Sequence, residues 1–456
     1  MTALIVACAL FMQNLDGTVV ATALPAMAHS FGADPLHMNV ALTSYLLSLA
    51  VFIPVSGWFA DRFGTRTVFR AAIGVFTFGS ILCGQSTSLW GLVAARVVQG
   101  IGGAMMVPVG RLVLLRSVAK SELVAAMAWL TVPALVGPVV GPPIGGLLVT
   151  YADWRWIFDI NVPIGVLGMV LVTRYVEDVR EPQVARLDVL GLLLSGTALS
   201  GLMFGFETIG RGVMPPLASG GLIGLGILAG LAYLRHARRL TDPLLDLSLL
   251  RIPTFAVSAV AGSLFRVGIG AIPFLLPLQL GFGETAAQSG MVTFASAAGA
   301  IVMKPATRWG LRWLGFRNVL LWNGALSALL VAACAAFRPG WPVAGLYGVL
   351  LAGGFLRSLQ FTAYNTIAYA DIPRPRMSAA TSLYATIQQL SLTLGITVGA
   401  AALQASTVLH GRAAPGLADF SVGFLLVGAV ALLAAPVSLR LRRDAGEELS
   451  GHHAGG

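Results

Sequence analysis

The sequence predicts an all-α polytopic membrane protein of fourteen transmembrane helices, arranged as two six-helix bundles with an inserted helix pair. Composition gives the class: 57% of the 456 residues are hydrophobic and 11% are charged, where soluble domains carry about 25% charged residues. Apolar runs recur along the whole chain, and a hydrocarbon core about 30 Å thick takes about 20 such residues per helix. Charge gives the topology. An even number of spans puts both termini on one side. Only Arg155, Arg211, Arg338 and Arg412 fall on the other, while Arg96, Arg111, Arg266 and Arg357 lie within or at the ends of runs. Of 29 Lys and Arg, the remaining 21 share the side of the termini. The positive-inside rule then makes the termini cytoplasmic, in an inner membrane. The same asymmetry accounts for the net charge of +10, so a nucleic-acid partner is not expected.

The runs cover approximately 3–24, 39–59, 67–86, 89–112, 122–149, 155–175, 188–207, 216–236, 254–281, 286–304, 316–336, 341–368, 377–404 and 420–440. Two connections divide them. One is the polar stretch from Val176 to Leu187; the other is the longer basic connection from Arg235 to Pro253. The expected organisation is an N-terminal bundle over 1–176, two linker helices with a basic loop over 177–253, a C-terminal bundle over 254–440 and a tail over 441–456. Bundles built as repeats place substrate at their interface near the bilayer midplane. Nothing in the N-terminal run has the basic region and cleavage context of a signal peptide, so it reads as retained. Cys8, Cys83 and Cys334 are odd in number, far apart and without nearby His, which argues against a disulfide framework or a zinc site.

The first run holds MQNLDGTVVATALP, with Asp16 alone in apolar surroundings. A carboxylate at mid-membrane costs roughly 2.5–3.5 kcal/mol on insertion scales, so its default reading is functional. After the second run comes GWFADRFGTR. Gly57 and Gly64 permit tight turning, and Asp61 with Arg62 and Arg66 offers a charge latch; the plainer reading is an ordinary basic loop. The matching stretch of the second half, Lys304 to Arg317, keeps only basic character and a Gly315-Phe316-Arg317 remnant. In the fourth run Arg96 precedes Gly100, Gly102 and Gly103. A guanidinium cannot shed its charge, so it needs a carboxylate or carbonyl partner, or else it snorkels to the headgroups. The fifth run contains VGPVVGPPIGG, with Gly137, Pro138, Gly141, Pro142, Gly145 and Gly146. Its small residues let helices pack closely and its prolines bend them, whether as a generic seam or as a pivot between bundles. WRWIFDINVPIG brings interfacial aromatics and Asp159, whose readings are an extra acidic site or, as expected, a pair with Arg155.

Together these motifs resemble the major facilitator superfamily, and within it the fourteen-span drug:proton antiporter family of the EmrB/QacA kind. GWFADRFGTR is similar to the superfamily's signature loop, GPPIGG to its antiporter motif, and PLLDLSLLRIPTF extends the likeness to the full chain. LHMN, GGAMMVPVGR and FTAYNTIAYADIP look closest to the MdtD-like branch. The resemblance implies proton coupling through Asp16 and Arg96, a cytoplasmic gate at Asp61, and efflux of small molecules by alternating access. It implies a small-molecule substrate, protons and the lipid bilayer as partners, and leaves open a periplasmic adaptor. One departure stands out: the family often has Asn where this chain has Ala21, which puts the polar contact of that Asn in doubt.

Remaining intramembrane polar residues are candidates for a substrate cavity: Glu207, Arg266, Arg357, Gln360 and Asn365. Glu207 and Arg211 stand at i and i+4 and are expected to pair. Arg266 could meet an anionic substrate, Asp16 or a helix end. No ATP-binding or zinc motif is present, so no cofactor is expected and the energy source would be the proton gradient. The rivals to a drug exporter are a specific exporter of an organic anion or metabolite, which Arg266 and Arg357 favour, and a non-transporting sensor or scaffold of the same fold. An enzyme is not expected, since no nucleophile–base or metal constellation emerges.

Overall fold

The computed structural model describes residues 2–32, 38–182, 184–211, 214–281, 286–412 and 414–452. Every described regular element is helical. In the first half these are α1 (Thr2–Phe31), α2 (Asn39–Phe52), α3 (Ser56–Phe63), α4 (Thr65–Gly84), α5 (Leu89–Ser117), α6 (Leu123–Tyr151), α7 (Trp156–Asp159) and α8 (Asn161–Tyr175). The linker pair is α9 (Val189–Arg211) and α10 (Pro216–Ala237). The second half holds α11 (Pro253–Gly270), α12 (Ile272–Leu280), α13 (Ala286–Asn318), α14 (Gly324–Ala333), α15 (Val343–Ile367), α16 (Met377–Leu409), α17 (Leu417–Leu432), α18 (Ala434–Ser438) and α19 (Glu447–Ser450).

Eleven helical stretches among the described residues are long and apolar enough to cross a membrane, or twelve with the bent pair α2–α3, which turns through 57°. The stretch Phe294–Ala336 runs through a break at Gly315, whose φ is +71°. Counting its two halves, and α6, gives each of the fourteen apolar runs its own helix. Several of these helices carry a basic side chain in their last turn, α5 Arg116, α8 Arg174 and α10 Arg235, while their length rests on apolar surroundings that leave the backbone no partner but itself. Proline opens α10 and α11 at N1, where no N–H is missed. Lys304 is not in a loop, as its basic surroundings suggested: α13 continues past it, and its ammonium is buried against Thr362 Oγ1 at 3.2 Å.

α1 packs chiefly on α6, α5 and α8, and α11 on α16 and α17, each within its own half. The linker helices pair with one another, and α9 touches α2 from the first bundle and α16 from the second. Between the two halves, α6 meets α13 and α15, and α16 meets α3 and α5.

The start of α4 shows how the first bundle is fastened. Gly64, at φ +94°, turns the chain between α3 and α4, and a Cβ there would strike the Asp178 carboxylate, 2.8 Å from Oδ2. Asp178 comes from the connection after α8. It caps α4 from outside, accepting from Thr67 N and Thr67 Oγ1, each at 3.3 Å. Burial pushes its carboxyl up, but the Thr67 N–H and the Arg180 guanidinium outweigh that and hold it below the usual carboxylate range. The lowered group supports the fold above its ordinary range and loses that support as pH falls through its folded value. Asp178→Ala is expected to cost about 0.5–2 kcal/mol, as loss of a cap does. Melting curves of the two proteins should differ at neutral pH and converge in acid.

Candidate functional site

Asp16 occupies the middle of α1, where three other helices converge on it. Arg96 and Gln99 stand three residues apart on α5, hence on one face; Ser80 comes from α4 and Asn161 from the first turn of α8. Arg96 Nη1 donates to Asp16 Oδ2 at 2.6 Å, with both side chains fully buried. Gln99 Nε2 and Asn161 Nδ2 donate to the other oxygen, Oδ1, at 2.8 and 3.3 Å. Ser80 Oγ accepts from the same two amides at 3.2 and 2.9 Å. Arg96 also donates to Gln99 Oε1 at 2.7 Å and to the Ala41 carbonyl at 3.4 Å, and its guanidinium lies 4.3 Å over the Tyr45 ring.

Burial penalises the charge on Asp16, and Arg96 with the two amides offsets that penalty. A proton on the carboxylate would cancel the attraction to Arg96, which retains Gln99, the Ala41 carbonyl and the Tyr45 face. The contact between α1 and α5 thus rests on this charge pair. Snorkelling of Arg96 is excluded, because its head is turned inward. The sequence singled out the ion pair but missed Gln99, Ser80 and Asn161; the i, i+3 spacing of Arg96 and Gln99 was the available signal. The side chain of Ala21 lies outside the described residues.

The glycine motif of α6 faces α1. A Cβ at Gly137 would lie 2.8 Å from Asn14 Cβ, one at Gly141 would collide with Thr18, and one at Gly145 with Thr22 and Val19. Gly146 meets nothing and is exposed. The motif thus seats the helix that carries Asp16, and α6 also meets α13 and α15 of the second half. The side chains of Pro138 and Pro142 lie outside the described residues.

The two halves join at the end of the molecule that carries the basic loops. Gly57 N donates to Ser382 Oγ at 2.8 Å, Ser56 Oγ lies 3.0 Å from the same oxygen, and Ser378 Oγ hydrogen-bonds Asp61. Arg111 donates to Tyr369 Oη at 3.1 Å and to Gln388 Oε1 at 3.2 Å. Lys120 pairs with Glu448 of the tail at 2.7 Å. These contacts tie α3 and α5 of the first bundle to α16 and the end of α15 in the second.

Asp61 takes part in the join, but not with its expected partners. Its ion pair is with Arg116, at the end of α5, at 3.0 Å, and Arg116 also holds Glu181 at 2.8 Å. Arg62 is exposed and, like Arg66, makes no ion pair among the described residues. Adjacent positions on a helix point about 100° apart, so Arg62 turns away from the carboxylate beside it. Arg155 likewise pairs with Asp153, at 3.4 Å, rather than Asp159, whose carboxylate lies over Gly84.

In the second bundle Arg266 is fully buried and not paired with Asp16. It donates to Tyr384 Oη at 2.8 Å and Asn365 Oδ1 at 3.3 Å. Arg357 hydrogen-bonds Ser296 Oγ. Gln360 is taken up inside the bundle: it donates to the Leu320 carbonyl at 3.0 Å and accepts from Asn323 at 2.8 Å, beside a π-helical turn. That gives it a packing role. The side chains of Glu207 and Arg211 lie outside the described residues. No group of three or more His, Cys, Asp or Glu able to hold a metal occurs among the described residues.

A helical protein in two halves, with an ion pair buried in one and a polar seam at one end, is the architecture of a membrane carrier, and the comparisons agree. The sequence pattern of the Major Facilitator Superfamily matches residues 6–396. The chain belongs to that superfamily. It is a transporter, not an enzyme. Among its relatives, the "Putative multidrug resistance protein MdtD" of Pectobacterium carotovorum subsp. carotovorum (strain PC1) is 38% identical, over 95% of this chain and 93% of that one. The protein of the same name from Citrobacter koseri is 40% identical, over 86% of this chain and 84% of that one. The fold is shared with the proton:xylose symporter XylE bound to 6-bromo-6-deoxy-D-glucose, at a TM-score of 0.67 and 14% identity. That match covers 99% of this chain and 98% of that one.

Proposed function

We propose that this superfamily member is a proton-coupled exporter of small molecules, seated in the inner membrane with both termini and the basic end in the cytoplasm. The buried Asp16–Arg96 pair carries the reading: a carboxylate with one cation and two amide donors, on the helix seated against the antiporter-type glycine motif. The multidrug-resistance name of its relatives supports small-molecule efflux. With the seam shut at the basic end, the structure corresponds to an outward-facing state in this scheme.

In the cycle, Asp16 takes a proton from the outer side as substrate leaves. Neutralisation loosens α1 from α5, the seam at Gly57, Asp61 and Arg111 opens, and the proton is lost to the cytoplasm. Re-forming the Asp16–Arg96 pair then accompanies binding of the next substrate. The proton gradient supplies the energy, with no bound cofactor; one charge crossing 100 mV releases roughly 2.3 kcal/mol. Everted membrane vesicles with an acidified lumen provide the test. Adding a transported compound should dissipate the pH gradient in vesicles containing the protein and leave control vesicles unchanged. A broad substrate panel that moves no protons would sink the proposal and favour a sensor or scaffold.

A further inference from the structure

The first bundle pairs its deepest cation with a carboxylate, but the second does not. Arg266 is 0% exposed and Arg111 4% exposed, and neither forms an ion pair with any described Asp or Glu. A guanidinium keeps its charge when buried, and an unpaired buried charge is costly. The partners present are neutral. Both guanidiniums lie against the same ring, that of Tyr384, with Cζ to centroid distances of 5.0 Å for Arg266 and 5.6 Å for Arg111. Tyr369, which accepts from Arg111, stands 5.7 Å from Tyr384 between ring centroids. Arg266 Nε and Nη1 and Arg111 Nε have no hydrogen-bond partner. Gly262, one turn before Arg266, leaves room for that guanidinium: a Cβ there would lie 2.7 Å from Nη1.

Arg111 belongs to the first bundle and Arg266 to the second, so the pair spans the seam. We propose that Arg111 and Arg266 form the substrate-binding site for an aromatic carboxylate, which they clamp between the bundles while the rings of Tyr369, Tyr384 and Phe361 hold its apolar body. The rings suit a flat apolar group, and Phe361 lies 5.8 Å from the Arg266 Cζ. The unused N–H groups suit an anion, since charge-assisted bonds to a carboxylate are stronger than those to a phenol. Opening the seam strips Tyr369 and Gln388 from Arg111 and brings water to both cations. A carboxylate entering there bridges the halves. Closing the seam returns each guanidinium to its tyrosine and displaces the anion.

The direction of movement rests on the exporter reading, but the binding does not. The test is therefore calorimetric titration of the purified full-length protein in detergent with 2-naphthoate and with 2-naphthylmethylammonium. The two probes match in size and differ in charge. Naphthoate is expected to bind at least about tenfold more tightly than the ammonium. Arg266→Gln and Arg111→Gln should each weaken naphthoate by about thirtyfold, the usual scale for losing one partner of a buried charge contact. Arg266→Lys, which keeps the charge, should fall between wild type and Arg266→Gln. Equal or tighter binding of the ammonium by the wild type overturns the proposal, whatever the variants do. So does naphthoate affinity unchanged in an Arg266→Gln protein that still melts cooperatively. Naphthoate binding without proton flux in vesicles would uphold the site, and the exporter reading falls only if the broad panel also moves no protons.

Discussion

Asp16→Asn is expected to abolish proton-driven efflux, leaving only the gradient decay seen in vesicles without the protein. Asn keeps an oxygen that can accept from Gln99 and Asn161, so the geometry of the cluster survives, but it carries no exchangeable charge. The loss has to be separated from simple damage, because Asn also strands Arg96 in the bundle. Breaking a buried ion pair by removing one partner costs about 3–5 kcal/mol. Arg96→Gln should cost less stability than Asp16→Asn, since the carboxylate keeps Gln99 and Asn161 and can take up a proton, whereas a stranded guanidinium cannot shed its charge. The double variant Asp16→Asn/Arg96→Gln removes both charges and should recover most of the lost melting temperature, a coupling that a double-mutant cycle reads directly. It should recover no efflux. Stability restored without transport assigns the carboxylate a role beyond packing. Full efflux by Asp16→Asn would end its candidacy as the proton site, and an additive cycle would show that the 2.6 Å contact is not the energetic link it resembles.

The fold was more legible than the site, and the reason is the solvent. A bilayer forces helices on any long apolar run, so composition and basic asymmetry sufficed to anticipate the class and the placement of helices. Asp16 and Arg96 were legible for the same reason: each is costly enough in hydrocarbon to declare itself. Neutral polar residues do not. Gln99, Ser80 and Asn161 cost little singly and acquire meaning only when α5, α4 and α8 bring them to one carboxylate. The partner of Asp61 was missed because sequence proximity favoured Arg62 and Arg66, whereas the helix end of α5 delivers Arg116 from 55 residues away. Likewise, the glycine motif announced close packing but not its target, which is α1.

Gly57→Val is expected to keep the protein folded yet prevent the seam from closing. A Cβ at Gly57 would lie 2.6 Å from Ser382 Oγ and 2.7 Å from the Ser378 carbonyl oxygen. The hydroxyl can rotate away, but the backbone carbonyl of α16 cannot. The collision exists only while α3 and α16 are in contact, so the open arrangement tolerates the larger residue. Gly102→Val supplies the contrast. A Cβ there would lie 2.7 Å from the Ala72 carbonyl and 2.8 Å from Phe76 Cα, at the contact of α5 with α4, which the proposed cycle leaves packed, so that variant should lower the melting temperature itself. A cysteine at Ser382 reports the difference, in a background where Cys8, Cys83 and Cys334 are replaced. Ser382 is buried at the seam, and a water-soluble maleimide should label the cysteine slowly with Gly57 present. With Gly57→Val the rate should rise by roughly tenfold, the effect of moving the seam equilibrium by about 1.4 kcal/mol toward open, and efflux should be lost. Gly57→Ala adds the same first carbon without the branches and should lie between. Retained efflux in Gly57→Val, or labelling as slow as in the parent, would mean that contact at Gly57 is not what closes the basic end.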